Sequence, residues 1–238
     1  MQRVRILGVP LDPVTQDEAV ARISQMLSDG GKLHVMTPNN EMIVKAQSVP
    51  VFKSLLQTSE LSLPDSTGLL WAAARTGQHL PERVTGVDTV KRILLTCSDQ
   101  TPVFFLGGRK GVGQRALEAM QKENPRLRGE AFEGTPSEED AAEIINKIND
   151  SEAILLLVAY GAPKQDLWIN QHLLNLTSVK VAMGIGGTFD FLSGSIKRAP
   201  QCMQRARLEW LWRLIQQPSR IGRIYTAVIR FPLLVLRG

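Results

Sequence analysis

The chain has 238 residues, of which 43% are hydrophobic and 21% charged; that balance suits a soluble globular protein with one sizeable core, and a second full domain is not expected. No uncharged run approaches the roughly 20 residues that span a bilayer, and Arg3 and Arg5 lead into a short strand pattern instead of a basic-then-apolar signal segment. The net charge of +5 conceals a split: nine Lys/Arg stand against one acid, Glu209, from Lys197 onward, and 19 bases against 22 acids before it. A near-neutral body with a basic tail fits an anionic surface or ligand, or a solvated basic face.

In chain order, an apolar run at residues 4–9 reads as a strand and residues 16–27 as an amphipathic helix. A strand over 33–36 runs into Thr37-Pro38-Asn39-Asn40-Glu41, where a helix over 41–46 begins. A third strand, 61–63, ends at Pro64-Asp65, and Ser66-Thr67-Gly68 leads into a helix over 69–76. The loop Glu82-Arg83-Val84-Thr85-Gly86-Val87-Asp88 opens a helix over 88–97. Strand 103–106 precedes Gly107-Gly108-Arg109-Lys110-Gly111-Val112-Gly113 and a helix over 112–122. Ser137, with Asp140 three residues on, resembles a capping box for a helix over 138–148. Strand 153–159 ends at Tyr160-Gly161, followed by a helix over 164–173. Strand 179–183 ends at Gly184-Ile185-Gly186-Gly187-Thr188-Phe189-Asp190. Such alternation predicts a mainly parallel, Rossmann-like sheet with helices on both faces.

Ligands of such sheets sit outside the carboxyl ends of the strands. Five polar clusters follow strands there, at Thr37, Asp65, Gly107, Tyr160 and Gly184. Gly107 and Gly108 fit a nucleotide pocket or a plain strand-to-helix turn, and their loop matches neither the P-loop nor the dinucleotide fingerprint. Gly186 and Gly187 allow close backbone approach to a phosphate. Asp190 after them can accept from a ribose hydroxyl or cap a helix. Asp65 is placed as a general base beside a substrate hydroxyl, or as part of a capped helix start. Arg83 reads equally as a phosphate clamp or as the structural partner of an acid.

No metal is expected, because His34, His79 and His172 are scattered and no Asp-x-Asp pair occurs. Cys97 and Cys202 stand far apart and read as reduced thiols. Composition shifts near Ala199-Pro200, which divides an α/β unit over 1–199 from a helical appendage over 200–238. There Arg207-Leu208-Glu209-Trp210-Leu211-Trp212-Arg213 precedes Pro218, and Ile221, Ile224, Tyr225, Val228 and Ile229 recur at helical spacing beside Arg220, Arg223 and Arg230. A basic amphipathic helix of this kind suits a membrane interface or packs on the body. Nucleic acid is not expected as a partner, since no recognition motif is present.

Taken together, the clusters resemble the WecG/TagA/CpsF family of bacterial glycosyltransferases over nearly the whole chain. The carriers are Thr37-Pro38-Asn39-Asn40-Glu41, Pro64-Asp65, Arg83 to Asp88, Phe105-Leu106-Gly107-Gly108, Gly161-Ala162-Pro163-Lys164-Gln165, Gly184 to Asp190, Arg198-Ala199-Pro200, Leu208 to Leu214 and Pro218-Ser219-Arg220. The resemblance implies inverting, metal-independent and cofactor-free transfer of a sugar, often of N-acetylmannosamine type, from a UDP-sugar to a lipid diphosphate-linked sugar. It places the protein peripherally on the inner face of the cytoplasmic membrane. It makes Asp65 the base, lines the pocket with Thr37, Asn39, Arg83 and Gln165, and brings Arg213, Arg220 and Arg223 of the appendage to the diphosphates. In some members the appendage completes the site only when it docks near the membrane. The family often has Gly where this chain has Ser66 and commonly Glu where it has Asp166; both positions are expected near the pocket, which leaves the donor sugar open. A homo-oligomer is compatible with the sequence. The competing readings are a dinucleotide-dependent oxidoreductase, which lacks its Gly-x-Gly-x-x-Gly turn after the first strand, and a noncatalytic membrane-associated nucleotide-binding adaptor, which leaves Asp65, Arg83 and Gln165 without a role.

Overall fold

The structure, a computed structural model, describes residues 2–206 and 208–237, apart from the side chains of Gln204 and Arg205. Arg207, which opens the aromatic and basic stretch of the tail, lies outside the described residues. Strands β1 (Val4–Ile6) and β2 (Val9–Leu11) and helix α1 (Gln16–Asp29) lead to β3 (Leu33–Met36). Helices α2 (Asn40–Ala46) and α3 (Pro50–Thr58) precede β4 (Leu61–Ser62), and α4 (Thr67–Arg75) and α5 (Gly86–Thr96) precede β5 (Val103–Gly107). There follow α6 (Val112–Glu123), β6 (Gly129–Phe132), α7 (Glu138–Asp150), β7 (Leu155–Ala159), α8 (Lys164–His172), β8 (Val181–Gly184) and α9 (Thr188–Leu192). The tail carries α10 (Gln201–Arg205), α11 (Glu209–Gln216), α12 (Ile221–Tyr225) and α13 (Phe231–Arg237), with a π-helical turn at Thr226–Arg230 joining the last two.

Six strands form one sheet in the order β4-β3-β8-β7-β5-β6, and every pair in it is parallel. This is the expected α/β architecture with a helical C-terminal appendage. Successive residues of a strand point to opposite faces. Val103, Phe105, Leu155, Leu157, Val181 and Met183 therefore pack under α1, α5, α6 and α9. Phe104, Leu106, Leu156, Val158 and Ala182 meet Ile144 and Ile148 of α7 and Trp168 and Ile169 of α8. Burial on both faces is why these strands read as unbroken apolar runs.

The tail is anchored at its end. Phe231 and Val235 of α13 are buried in a third cluster with Met42, Ile43, Leu69 and Ala72 of α2 and α4, and each such side chain contributes about 1.5–3 kcal/mol.

Two expectations need correction, and two elements, α3 and β6, were not predicted. Residues 4–9 are not one strand of the sheet: Leu7 (φ 49°) and Gly8 (φ 83°) turn the chain back, so β1 and β2 pair antiparallel outside it. Helix α3 has Pro50 in its first turn, which suits a position with no intrahelical donor role, and buries Phe52, Leu55 and Leu56. Strand β6 (GEAF) is an edge strand with no fully buried residue, so it lacks an apolar signature. Ser137 precedes α7 but makes no side-chain capping bond; the Thr135 hydroxyl instead donates to Asp140 Oδ2 at 2.5 Å. The capping box belongs to Thr15 and Glu18 at α1.

Candidate active site

Because all six strands run the same way, their carboxyl ends share one edge of the sheet, and the polar clusters meet there. Two cavities open at that edge, one of about 660 Å³ over the glycine turns and one of about 490 Å³ beneath the tail. Asn39, Asp65, Arg213, Arg220 and Arg223 line both.

Asp65 follows β4 and is locked by its neighbours. Its N–H donates to Pro38 O at 2.9 Å, and Val84 N–H donates to Pro64 O at 3.0 Å. Gly86 N–H, at the first residue of α5, donates to Asp65 Oδ2 at 3.2 Å, so the carboxylate sits at the positive end of that helix. Burial pushes its pKa up to about 6, opposed by Arg83, the Gly86 hydrogen bond and Arg213 and reinforced by the charge of Glu209. A carboxylate tuned to this range suits general-base work near neutrality.

The arginines fall into two groups. Arg83 Nη2 is 2.6 Å from Glu209 Oε2. Arg198 forks onto Asp88 at 2.9 and 3.2 Å with its Nε 3.5 Å from Glu209 Oε1, and Arg223 Nε pairs with Glu41 Oε2 at 2.7 Å. Arg213 and Arg220, among the described residues, have no carboxylate within ion-pair distance. Arg213 lies 4.6 Å over the Phe191 ring, and burial holds its pKa below the usual range. Burial and the charges of Arg223 and Arg213 bring Arg220 down to about 10. Crowded guanidinium groups without counter-ions make a site that favours a multiply charged anion.

Thr37 is buried after β3, its hydroxyl donating to Gly184 O at 3.3 Å. Asn39 caps α2 by accepting from Met42 N–H at 3.1 Å, which leaves its amide NH₂ for the cavity. Gln165 is buried, and its Oε1 accepts from Gly161 N–H at 3.0 Å and Gly186 N–H at 2.9 Å. It ties together the turns after β7 and β8 while lining the larger cavity.

Gly108, Gly186 and Gly187 line that cavity. Gly107 has φ 85° and packs on Tyr160, whose ring would lie 2.7 Å from an added Cβ. Asp190 sits inside α9, where Gly187 holds the capping position; its Oδ1 accepts from Arg109 Nη2 at 2.7 Å. Of the two departures from the family pattern, Ser66 lines the smaller cavity and donates to Asn40 Oδ1 at 2.6 Å. Asp166 is fully buried 3.6 Å from His34 Nε2 and lines neither cavity.

Sequence reasoning passed over Glu209, Asp88 and Asn40 as site residues. Asn40 Nδ2 donates to Ala227 O at 2.9 Å, stitching the tail to the wall. The available signal for Glu209 was its solitude: it is the one acid in the basic tail. Among the described residues no group of His, Cys, Asp and Glu side chains could hold a metal ion, and no helix is long and apolar enough to cross a membrane.

Residues 4–238 match the glycosyl transferase WecG/TagA/CpsF family. A Staphylococcus aureus (strain MRSA252) protein named N-acetylglucosaminyldiphosphoundecaprenol N-acetyl-beta-D-mannosaminyltransferase is 29% identical over 225 residues, 93% of this chain and 88% of its own. A Bacillus spizizenii protein of the same name is 31% identical over 204 residues, covering 82% of this chain and 78% of its own. With the match running through the sheet, the edge cavities and the tail, the chain belongs to the WecG/TagA/CpsF family of glycosyltransferases.

Proposed function

We propose that this glycosyltransferase moves a sugar, of N-acetylmannosamine type or a related hexose, from a UDP-sugar to a polyprenyl diphosphate-linked sugar, with inversion and without a metal, in bacterial surface polysaccharide synthesis. The carrying observation is that Asp65 lines both cavities together with Arg213 and Arg220, which among the described residues have no carboxylate within ion-pair distance. The relatives' printed name, a mannosaminyltransferase acting on N-acetylglucosaminyldiphosphoundecaprenol, fits an acceptor of this chemistry.

In this reading the UDP lies across Gly108, Gly186 and Gly187, with Asp190 and Gln165 in the same cavity. The acceptor enters beneath the tail, where Trp71, Trp210, Ile224 and Val228 give an apolar wall. Asp65 removes the proton from the acceptor hydroxyl as its oxygen attacks the anomeric carbon opposite the diphosphate. The bond from that carbon to the diphosphate oxygen breaks, and UDP departs with the bonding pair. Arginines neutralise that charge, a contribution that usually exceeds the roughly 10²–10⁴-fold supplied by a general base.

Residues 1–199 form the catalytic unit in this reading, and 200–238 the part that meets the membrane. Ile221, Tyr225, Ile229, Leu233 and Leu236 are exposed along the tail with Arg230 and Arg237, a pattern suited to the anionic inner face of the cytoplasmic membrane.

The test is UDP release from a panel of UDP-sugars with a diphospholipid-linked N-acetylglucosamine acceptor, EDTA present throughout, and the product anomer read by NMR. Acceptor-dependent release with one donor and an inverted anomer is expected. Release that EDTA abolishes overturns metal independence, and a retained anomer overturns direct displacement.

A further inference from the structure

A continuous run of contacts joins the tail to the floor of the site. Glu209, at the first residue of α11, holds Arg83 at 2.6 Å and stands 3.5 Å from Arg198. Arg198 forks onto Asp88, whose Oδ2 accepts from the Thr85 hydroxyl at 2.5 Å. That hydroxyl accepts in turn from Asp88 N–H at 3.1 Å, capping α5. The first N–H of α5, at Gly86, donates to Asp65.

We propose that Glu209 is a positioning residue for the transfer reaction: it holds Arg83 away from Asp65 and so keeps the base free, and it makes that freedom depend on the docked tail. The inference rests on the reading of Asp65 as the base. Arg83 is the charged group that opposes the burial of Asp65 most strongly, and an arginine paired directly with a carboxylate lowers its pKa by about 1–3 units. A base locked in that pair has lost its proton affinity. The groups facing Asp65 are Arg83 from the loop before α5, Gly86 N–H of α5, and Glu209 and Arg213 of α11. Arg198, Arg220 and Arg223 line the adjoining wall. Only Glu209 brings a negative charge to this set from the tail, and it reaches Arg83 only when α11 lies over the site. Undocking the tail removes that restraint together with Arg213.

The experiment is a ¹³C-carboxyl NMR titration of Asp65 in the full chain, with the pH profile of transfer measured in parallel, for wild type, Glu209→Gln and Glu209→Asp. In Glu209→Gln the Asp65 midpoint moves to lower pH, and by more than when the same change is made in an Arg83→Gln background, where only the direct charge of Glu209 is lost; equal shifts in the two backgrounds overturn the hold on Arg83. The acid limb of kcat/KM moves with the midpoint, and kcat on the plateau falls about tenfold while acceptor KM stays within about threefold. Glu209→Asp, with the charge on a shorter arm, falls between. A purely structural Glu209 changes melting temperature and leaves the midpoint in place, which overturns the inference. If Glu209→Gln does not fold, Glu209→Asp decides alone: a midpoint below wild type supports the hold on Arg83, and an unchanged one overturns it. A midpoint that moves while the acid limb stays leaves the hold on Arg83 standing and overturns Asp65 as the base.

Discussion

Glu41 and Arg223, 182 residues apart in the chain, form a 2.7 Å ion pair across the mouth of the site. Beside it Asn40 Nδ2 donates to Ala227 O, so two adjacent residues at the start of α2 grip successive turns of the tail. An exposed ion pair of this kind contributes about 0–1 kcal/mol. The tail therefore owes its place mainly to Phe231 and Val235, and the polar contacts set its register over Asp65.

Phe231→Ala tests that division. Phe231 is completely buried, and removing such a ring costs about 3–5 kcal/mol. Chemical denaturation shows a loss in that range, and transfer to the lipid-linked acceptor falls because the tail no longer holds Arg213 in place. Deleting residues 205–238 goes further: it abolishes transfer and exposes the apolar cluster around Met42, Ile43 and Leu69, read as increased dye binding and aggregation.

Asp65→Asn abolishes transfer and leaves UDP binding by calorimetry intact. The same variant is more stable than wild type at pH 7. The folded-state pKa of Asp65 is raised to about 6 against an unfolded value near 3.9, so folding favours the neutral form. The stability associated with that form is fully present below about pH 4 and is lost as pH rises through about 6. Asparagine cannot ionise, so its advantage is at most about 3 kcal/mol at pH 7 and fades below pH 4. Melting curves at the two pH values check the sign.

The rate follows the same titration. Burial places the base near pH 6, so kcat/KM falls about tenfold per unit below that value and levels off above it. A profile flat from pH 5 to pH 8 excludes Asp65 as the titrating base.

Gln165→Ala removes the acceptor shared by Gly161 N–H and Gly186 N–H. Leaving such donors unsatisfied costs about 1–3 kcal/mol, and the loosened turns raise donor KM. Gln165→Glu keeps an acceptor oxygen at the same reach and retains more of the stability, measured by thermal denaturation.

Arg213→Ala leaves the fold in place, since among the described residues the side chain has no ion-pair partner, and it lies over the Phe191 ring. Transfer falls by about 10²–10³, the usual scale for removing a group that stabilises developing charge. Arg213→Lys recovers part of it as a point charge, without the planar stacking on Phe191. Initial rates with saturating donor check both.

Local chemistry determined the sheet and the edge at which the site lies. Runs such as residues 103–106 and 153–159 are apolar because both faces of a parallel strand are buried, and parallel strands bring Thr37, Asp65, Gly108, Gly161 and Gly186 to one rim whatever the strand order. Elements without such a signature needed the folded chain: β6 is a half-exposed edge strand, and the β1–β2 hairpin turns on Leu7 and Gly8 in left-handed conformations. The site divides the same way. Asp65 and the glycines announce themselves because turns and strand ends are written in neighbouring residues. Which arginine meets which acid was decided only by tertiary structure: Arg83 finds Glu209 and Arg223 finds Glu41 because α13 is buried against α2 and α4 and carries the tail back over the sheet edge, a long-range contact that no local spacing encodes.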